Sequence, residues 1–371
     1  MKIAIMAPLV TAIREPQLGG SQAFVSDLAR GLADRGHMVH VYAASGSEIP
    51  GVTVIDTGVD ARALAGTLYR AHDRDGGEPA SGSQAAEVAF GTAYAKVRNT
   101  RYDVIHNHAF DAPAVRFAAE LPVPVLHTVH LPPDTAVADA LRQAMRASVP
   151  PTVATVSAFQ AKAWREMIAV DAILRPCVPT RSIPWSRRSG HGAVFAGRLS
   201  PEKGAAEAID IAGAAGIPID VYGDTYDVDY AREEVGRRAG RPGVTVHQAV
   251  PRASLWEAMA RAAVVLFPAR WDEPFGMAAA EAHACGTPVV AFRRGGLSEV
   301  IADGVTGFLV SPGDLRACAD AVAKTAGISR AACRGQAESH LDLRQSLDAH
   351  ERLYRKMIIS QVRRKRAAAD G

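Results

Sequence analysis

Glu273-Pro274-Phe275-Gly276-Met277-Ala278-Ala279-Ala280-Glu281 sets two carboxylates eight positions apart, with Pro and Gly after the first and small apolar residues leading to the second. Proline is tolerated at the first position of a helix, so Pro274 predicts a helix start there that leaves the amides of Phe275, Gly276 and Met277 without intrahelical partners. Free amides at a helix tip form an anion site. Eight residues of α-helix rise about 12 Å, whereas a retaining glycosidase holds its carboxylates about 5 Å apart and an inverting one at most about 9.5 Å. The spacing argues against a hydrolytic pair. It suits an extended ligand with a polyhydroxylated group at Glu273, phosphate at the amides and a second diol at Glu281, which is the layout of a nucleotide sugar.

Outward from this stretch, short apolar runs alternate with helix-length amphipathic segments. Lys2–Ala7, Met38–Ala43, Asp103–His106, Val123–Thr128 and Thr152–Val156 read as strands. After a charged, Pro-containing connector, Arg181–His191, a second series follows at Ala193–Gly197, Ile217–Tyr222, Val244–His247, Val264–Phe267 and Pro288–Ala291. Such alternation implies parallel sheets wrapped by helices. The expected fold is α/β: two doubly wound, Rossmann-like domains, residues 1–180 and 190–340, facing a central cleft with ligands at the carboxyl ends of the strands. Leu341–Arg366 reads as one helix.

Bulk composition agrees. A chain of 371 residues suits two domains of ordinary size, and 48% hydrophobic with 22% charged residues describes a globular protein. The net charge of +3 gives no global field toward nucleic acid. Cys177, Cys285, Cys318 and Cys333 show neither C-x-x-C spacing nor a nearby His pattern, which argues against zinc and fits free thiols in a reducing cytosol. The apolar start, Met1 to Val10, is short and closely followed by Arg14 and Glu15, so it reads as a first strand rather than a signal peptide. No run of 18 apolar residues offers a membrane span. A cytoplasmic location is expected.

Three further constellations carry chemistry. The run Gly197-Arg198-Leu-Ser-Pro-Glu-Lys203-Gly204 follows an expected strand and sets two cations beyond the sheet edge. Preorganised Arg and Lys stabilise the charge that a diphosphate leaving group accumulates. Gly19-Gly20-Ser21 precedes the helical stretch Gln22–Ala33, and glycines let backbone amides approach a phosphate closely. The G-x-G-x-x-G fingerprint is absent there, which weakens a nicotinamide dehydrogenase reading. His106-Asn107-His108 closes one strand and His130 follows the next; histidines at strand ends serve as core or turn residues as readily as ligands, and no carboxylate or Cys joins them at zinc-ligand spacing.

These residues resemble the retaining glycosyltransferases of family 4, which have the GT-B fold. Glu273 to Glu281 is similar to the E-x7-E motif and Gly197 to Gly204 to G-R-x-x-x-x-K-G. Ala284-Cys-Gly-Thr-Pro-Val-Val290 and Asp303-Gly-Val-Thr-Gly-Phe-Leu309 extend the likeness, which spans nearly the whole chain. The resemblance implies transfer of a sugar from a nucleoside diphosphate, most often UDP, to an acceptor hydroxyl by a front-face route without metal or cofactor. It gives Arg198, Lys203 and the amides of Phe275, Gly276 and Met277 the donor phosphates, with Gly19 and Gly20 as a first-domain glycine loop. Glu273 takes the sugar 3- and 4-hydroxyls, Glu281 the ribose, and His108 the transferred sugar, with His130 as second candidate. The last helix, about 345–371, is expected to cross back to the acceptor-binding first domain. One segment departs: many relatives carry Asn-Gly-Val-Asp at the interdomain linker, where this chain has Pro176-Cys-Val-Pro179.

Two other functions fit less of this pattern. A GT-B sugar phosphorylase calls for extra basic residues in the first half, which offers few beyond Arg14 and Arg116; a non-catalytic nucleotide-sugar-binding protein would not need the full set of phosphate contacts. A small molecule or a lipid-linked sugar is the expected acceptor, chosen by first-domain loops; neither Leu9–Leu18 nor His72–Gln84 has a pattern that names it, and the latter, rich in Gly, Asp, Ser and Pro, reads first as a plain surface loop and second as an acceptor cover. Arg363-Arg364-Lys365-Arg366 reads as a solvated helix end, with contact to anionic lipid or nucleic acid as the alternative.

Overall fold

The computed structural model describes residues 1–62, 64 and 80–369. The chain divides into two compact units, one of Met1–Arg14, Ser21–Arg175 and Ser346–Gly371, the other of Glu15–Gly20 and Pro176–Gln345.

The first unit runs β1 (Lys2–Met6), α1 (Gly20–Asp34), β2 (Met38–Ala43), β3 (Thr53–Asp56), α2 (Ala80–Arg98), β4 (Val104–Asn107), α3 (Ala112–Ala119), β5 (Val125–Val129), α4 (Thr135–Ala144), β6 (Thr152–Thr155), α5 (Ala158–Trp164) and β7 (Ala172–Ile173). Its sheet has the order β3-β2-β1-β4-β5-β6-β7 with parallel pairing throughout. A parallel sheet covered on both faces needs strands that are apolar on both sides, and β4 and β5 are buried at every position. Phe90, Tyr94 and Leu121 pack with Met6 and Ile105, and a second cluster joins Val115, Leu141 and Trp164 to Val129 and Val153. Of the loop expected at His72–Gln84, residues 72–79 lie outside the described residues, and Ala80 already opens α2, so its last five positions are helical rather than loop.

The second unit runs β8 (Ala193–Ala196), α6 (Ala205–Ala214), β9 (Ile219–Tyr222), α7 (Val228–Tyr230), α8 (Gly236–Ala239), β10 (Val244–His247), α9 (Arg252–Arg261), β11 (Val264–Phe267), α10 (Met277–Ala284), β12 (Val289–Phe292), α11 (Leu297–Val300), β13 (Gly307–Val310), α12 (Leu315–Lys324) and α13 (Arg330–His340). Its parallel sheet has the order β10-β9-β8-β11-β12-β13. The last helix, α14 (Leu343–Ala369), begins in this unit and from Ser346 onward belongs to the first.

The atypical linker is held by hydrogen bonds within the second unit. Val178 donates to the Leu341 carbonyl at 2.8 Å and accepts from the Leu343 amide at 2.9 Å, while the Thr180 hydroxyl bonds the Asp342 carboxylate. Arg334 adds bonds to the carbonyls of Thr180, Ile183 and Ala284, tying the linker to α10.

Candidate active site

Ligands of doubly wound sheets sit at the carboxyl ends of the strands where the strand order reverses. In the second unit that point lies between β8 and β11. The loop after β8 carries Arg198 and Lys203; the loop after β11 carries Glu273. Lys203 Nζ lies 2.8 Å from Glu273 Oε2, and the Trp271 indole N–H donates to the same oxygen at 2.8 Å. The Lys203 ammonium also stands 4.7 Å from the centre of the Trp271 ring, a cation–π contact. Among the described residues nothing bonds Glu273 Oε1, which leaves that oxygen as an acceptor.

The backbone of Glu273 is fixed by the turn after β12. Gly296 donates its amide to the Glu273 carbonyl at 2.7 Å, and a Cβ on Gly295 would stand 2.2 Å from that oxygen. Only glycine allows so close an approach. Arg198 is oriented by Tyr226, whose ring centre is 4.5 Å from the guanidinium, and by Glu202 at 3.3 Å. Ser200 donates to the same Glu202 oxygen at 2.6 Å.

The helix of the Glu273–Glu281 stretch starts at Met277, not at Pro274. Gly276 has φ +106°, outside helical geometry, and forms the N-cap. Pro274 and Phe275 therefore lie in the preceding turn. Only four helical steps separate Met277 from Glu281, a rise of about 6 Å, so the 12 Å ruler does not describe the stretch. Free amides persist: among the described residues those of Phe275, Gly276, Met277 and Ala278 have no hydrogen-bond partner, whereas Ala279 and Ala280 both donate to the Gly276 carbonyl at 3.1 Å.

Glu281 is buried and ion-paired rather than open. Arg252, on α9, donates to its Oε1 from Nε at 3.0 Å and from Nη2 at 2.7 Å. The Arg252 guanidinium covers the Trp256 ring at 4.9 Å, and its amide donates to Glu15 Oε2 at 3.0 Å. Sequence reading misses Arg252, because its partner is 29 positions away and no local pattern marks it. Trp271, two residues before the quoted stretch, could have been found as an indole donor. The glycine turn also moves: Glu15–Gly20 groups with the second unit, not the first, and a Cβ on Gly20 would meet the Met277 side chain at 3.1 Å. Gly19 and Gly20 thus come to the first residue of α10.

In the first unit, β4 and β5 deliver His106, His108, His127 and His130 to a buried cluster that α14 completes with His350 and Tyr354. His108 Nδ1 lies 2.8 Å from His130 Nε2, and His108 Nε2 lies 3.2 Å from His106 Nδ1. His106 also bonds the Tyr354 hydroxyl and Thr128, each at 2.7 Å. His108 is fully buried, whereas His130 keeps 8% of its surface. Burial and the neighbouring His130 and His350 rings hold His108 well below the usual imidazole range; burial alone brings His127 to about 3, and burial with His350 brings His130 to about 3. The cluster is therefore neutral at pH 7. Among the described residues no group of three or more His, Cys, Asp or Glu side chains is placed to hold a metal ion.

Comparison with known proteins fits this geometry. The family described as "Glycosyltransferase Family 4" matches residues 18–178 and "Glycosyl transferases group 1" matches residues 191–329. D-inositol 3-phosphate glycosyltransferase of Kribbella flavida is 28% identical, over 83% of this chain and 82% of that one, and its namesake from Mycolicibacterium paratuberculosis is 28% identical, over 96% and 90%. In structure, sucrose-phosphate synthase of Thermosynechococcus elongatus superposes with a TM-score of 0.75 at 19% identity, covering 97% of this chain and all of the other. Anabaena HepE in complex with UDP-glucose gives 0.69 at 19%, covering 95% and 99%. The two family models together cover most of the chain, and the likeness to these structures extends over nearly all of it: the chain belongs to glycosyltransferase family 4 and has the GT-B fold.

Proposed function

We propose that the chain transfers a sugar from a nucleoside diphosphate sugar, with UDP as the nucleotide, to an acceptor hydroxyl, retaining anomeric configuration and needing no metal ion. The observation that carries this reading is the Lys203–Glu273 contact of 2.8 Å beside the unpartnered amides ahead of α10. A diphosphate is met there by Arg198, Lys203 and backbone N–H groups, all of which stabilise charge where it develops. Glu273 Oε1 accepts hydrogen bonds from sugar hydroxyls, and charged acceptors offset the cost of desolvating them. Glu281, held by Arg252, presents its second oxygen to the ribose.

On this reading the leaving phosphate removes the proton from the acceptor hydroxyl as its own bond to the anomeric carbon breaks, and the new glycosidic bond forms on the same face. No side-chain nucleophile is required. Of the two histidines that the resemblance offers for a sugar hydroxyl, His108 is fully buried with both ring nitrogens engaged, by His130 and His106, so the role passes to His130, which keeps 8% of its surface. UDP is supported by the HepE complex, and the name shared by the relatives makes D-inositol 3-phosphate the first acceptor to test. Incubation with UDP-, GDP- and ADP-sugars in the presence of EDTA tests the proposal. UDP release that rises with D-inositol 3-phosphate or another polyol supports it; release that requires added divalent metal, or comes only from another nucleotide, contradicts the corresponding part.

A further inference from the structure

The outward face of α14 is a cationic stripe with aliphatic side chains set into it. Leu347, His350, Tyr354 and Met357 are buried, and Gln361, on the same side, donates to the Pro122 carbonyl at 2.8 Å. At about 100° per residue this inward face leaves Arg352, Arg355, Lys356, Ile359, Arg363 and Arg366 on the opposite side, all of them exposed. Residues 352–366 hold seven Lys or Arg and no Asp or Glu. Arg355 pairs with Glu351 at 2.9 Å; among the described residues Arg352, Lys356, Arg363, Arg364, Lys365 and Arg366 pair with no carboxylate. Ile359 is 52% exposed and Val362 45%, large apolar surfaces in the midst of the cations.

We propose that this face of α14 docks on an anionic lipid bilayer. Clustered cations are drawn to anionic headgroups, and the aliphatic side chains enter the boundary between headgroups and acyl chains. No helix among the described residues is long and apolar enough to cross a membrane, so the helix lies on the surface. A nucleic acid would also be drawn to the cations. It gains nothing from Ile359 and Val362, and the stripe has no exposed aromatic for bases to stack on.

Flotation with vesicles of phosphatidylcholine, alone or with one third phosphatidylglycerol, tests this on the full chain. The expected result is binding to the anionic vesicles only, weakened by salt. Replacing Lys356, Arg363 and Arg366 by Gln should lower partitioning on the order of a hundredfold, about fivefold per cation. The pair Ile359→Ser and Val362→Ser should lower it with all charges retained. All replaced side chains are exposed, so unchanged thermal unfolding shows that the variants fold. Absence of binding to anionic vesicles overturns the proposal. So does binding that the aliphatic replacements leave unchanged, and in that case duplex DNA competing with the vesicles identifies a nucleic-acid surface.

Discussion

Gly204 packs on the carbonyl of Pro268 so closely that a Cβ on it would stand 2.2 Å from that oxygen, and its φ is +79°. The contact joins the loop after β8, which carries Lys203, to the loop after β11, which carries Glu273. An L side chain there is both strained by the left-handed backbone and obstructed by the carbonyl. Gly204→Ala should therefore cost at least about 2 kcal/mol of stability and lower nucleotide affinity as the two loops separate, measurable by denaturant titration and calorimetry. Unchanged values of both would show that the contact does not position the site.

Lys203 and Glu273 should act as a unit. Removing either, by Lys203→Met or Glu273→Gln, is expected to reduce kcat/KM by about 10²–10³. The double variant should lose much less than the product of the two single losses, as contacting groups couple. Steady-state kinetics of the four proteins gives the coupling directly; strict additivity would show that the two side chains serve independently.

Arg252 and Glu281 are a buried pair, at 8% and 6% exposure. Taking away one partner leaves a buried charge alone, so Arg252→Met should destabilise by about 3–5 kcal/mol. The double replacement Arg252→Met with Glu281→Leu should recover most of the melting temperature, because an apolar pair of similar volume is often as stable, yet should not recover affinity for UDP. Recovery of both would remove Glu281 from the donor site.

Stability should fall on the acid side, and more in the first unit than in the second. Burial, assisted for His130 by the neighbouring His350, holds folded His127 and His130 at about 3 and His350 at about 4, against about 6.5 in an open chain; His106 and His108 lie well below that range. Between those limits the unfolded chain binds more protons than the folded one, so stability present above pH 6.5 is lost as pH falls toward 3. Each such histidine removes up to about 1.4 kcal/mol per pH unit. The second unit has one comparable group, His283 at about 4. Hydrogen exchange from pH 7.5 to 5 should show β4 and β5 opening before β11 and β12; the reverse order would contradict the assignment.

Most of the fold could be read from the chain because a parallel sheet buried on both faces leaves continuous apolar runs, as at Val264–Phe267 and Val289–Phe292. The strands missed are those without such a run. β7 has two residues, β3 is half exposed with polar ends, and β13 grows out of the Asp303–Leu309 turn, where Gly304 and Gly307 mask it. Within the site, residues on one short loop were legible, as Arg198 with Lys203. Pairings fixed only by packing were not: the helix starts at Met277 because Gly276 takes φ +106°, at a position where Leu297 would lie 2.6 Å from a Cβ. Arg252 comes to Glu281, and the Gly19-Gly20 turn to Met277, only once the second unit has folded.

The most direct test of the central claim is proton NMR of the purified chain with UDP-sugars and D-inositol 3-phosphate in EDTA. The account predicts UDP release matched by a new anomeric signal of the same configuration as the donor, slowed about 10²–10³-fold by Glu273→Gln. An inverted product, or no turnover with any donor while wild type and Glu273→Gln bind UDP equally, would contradict it.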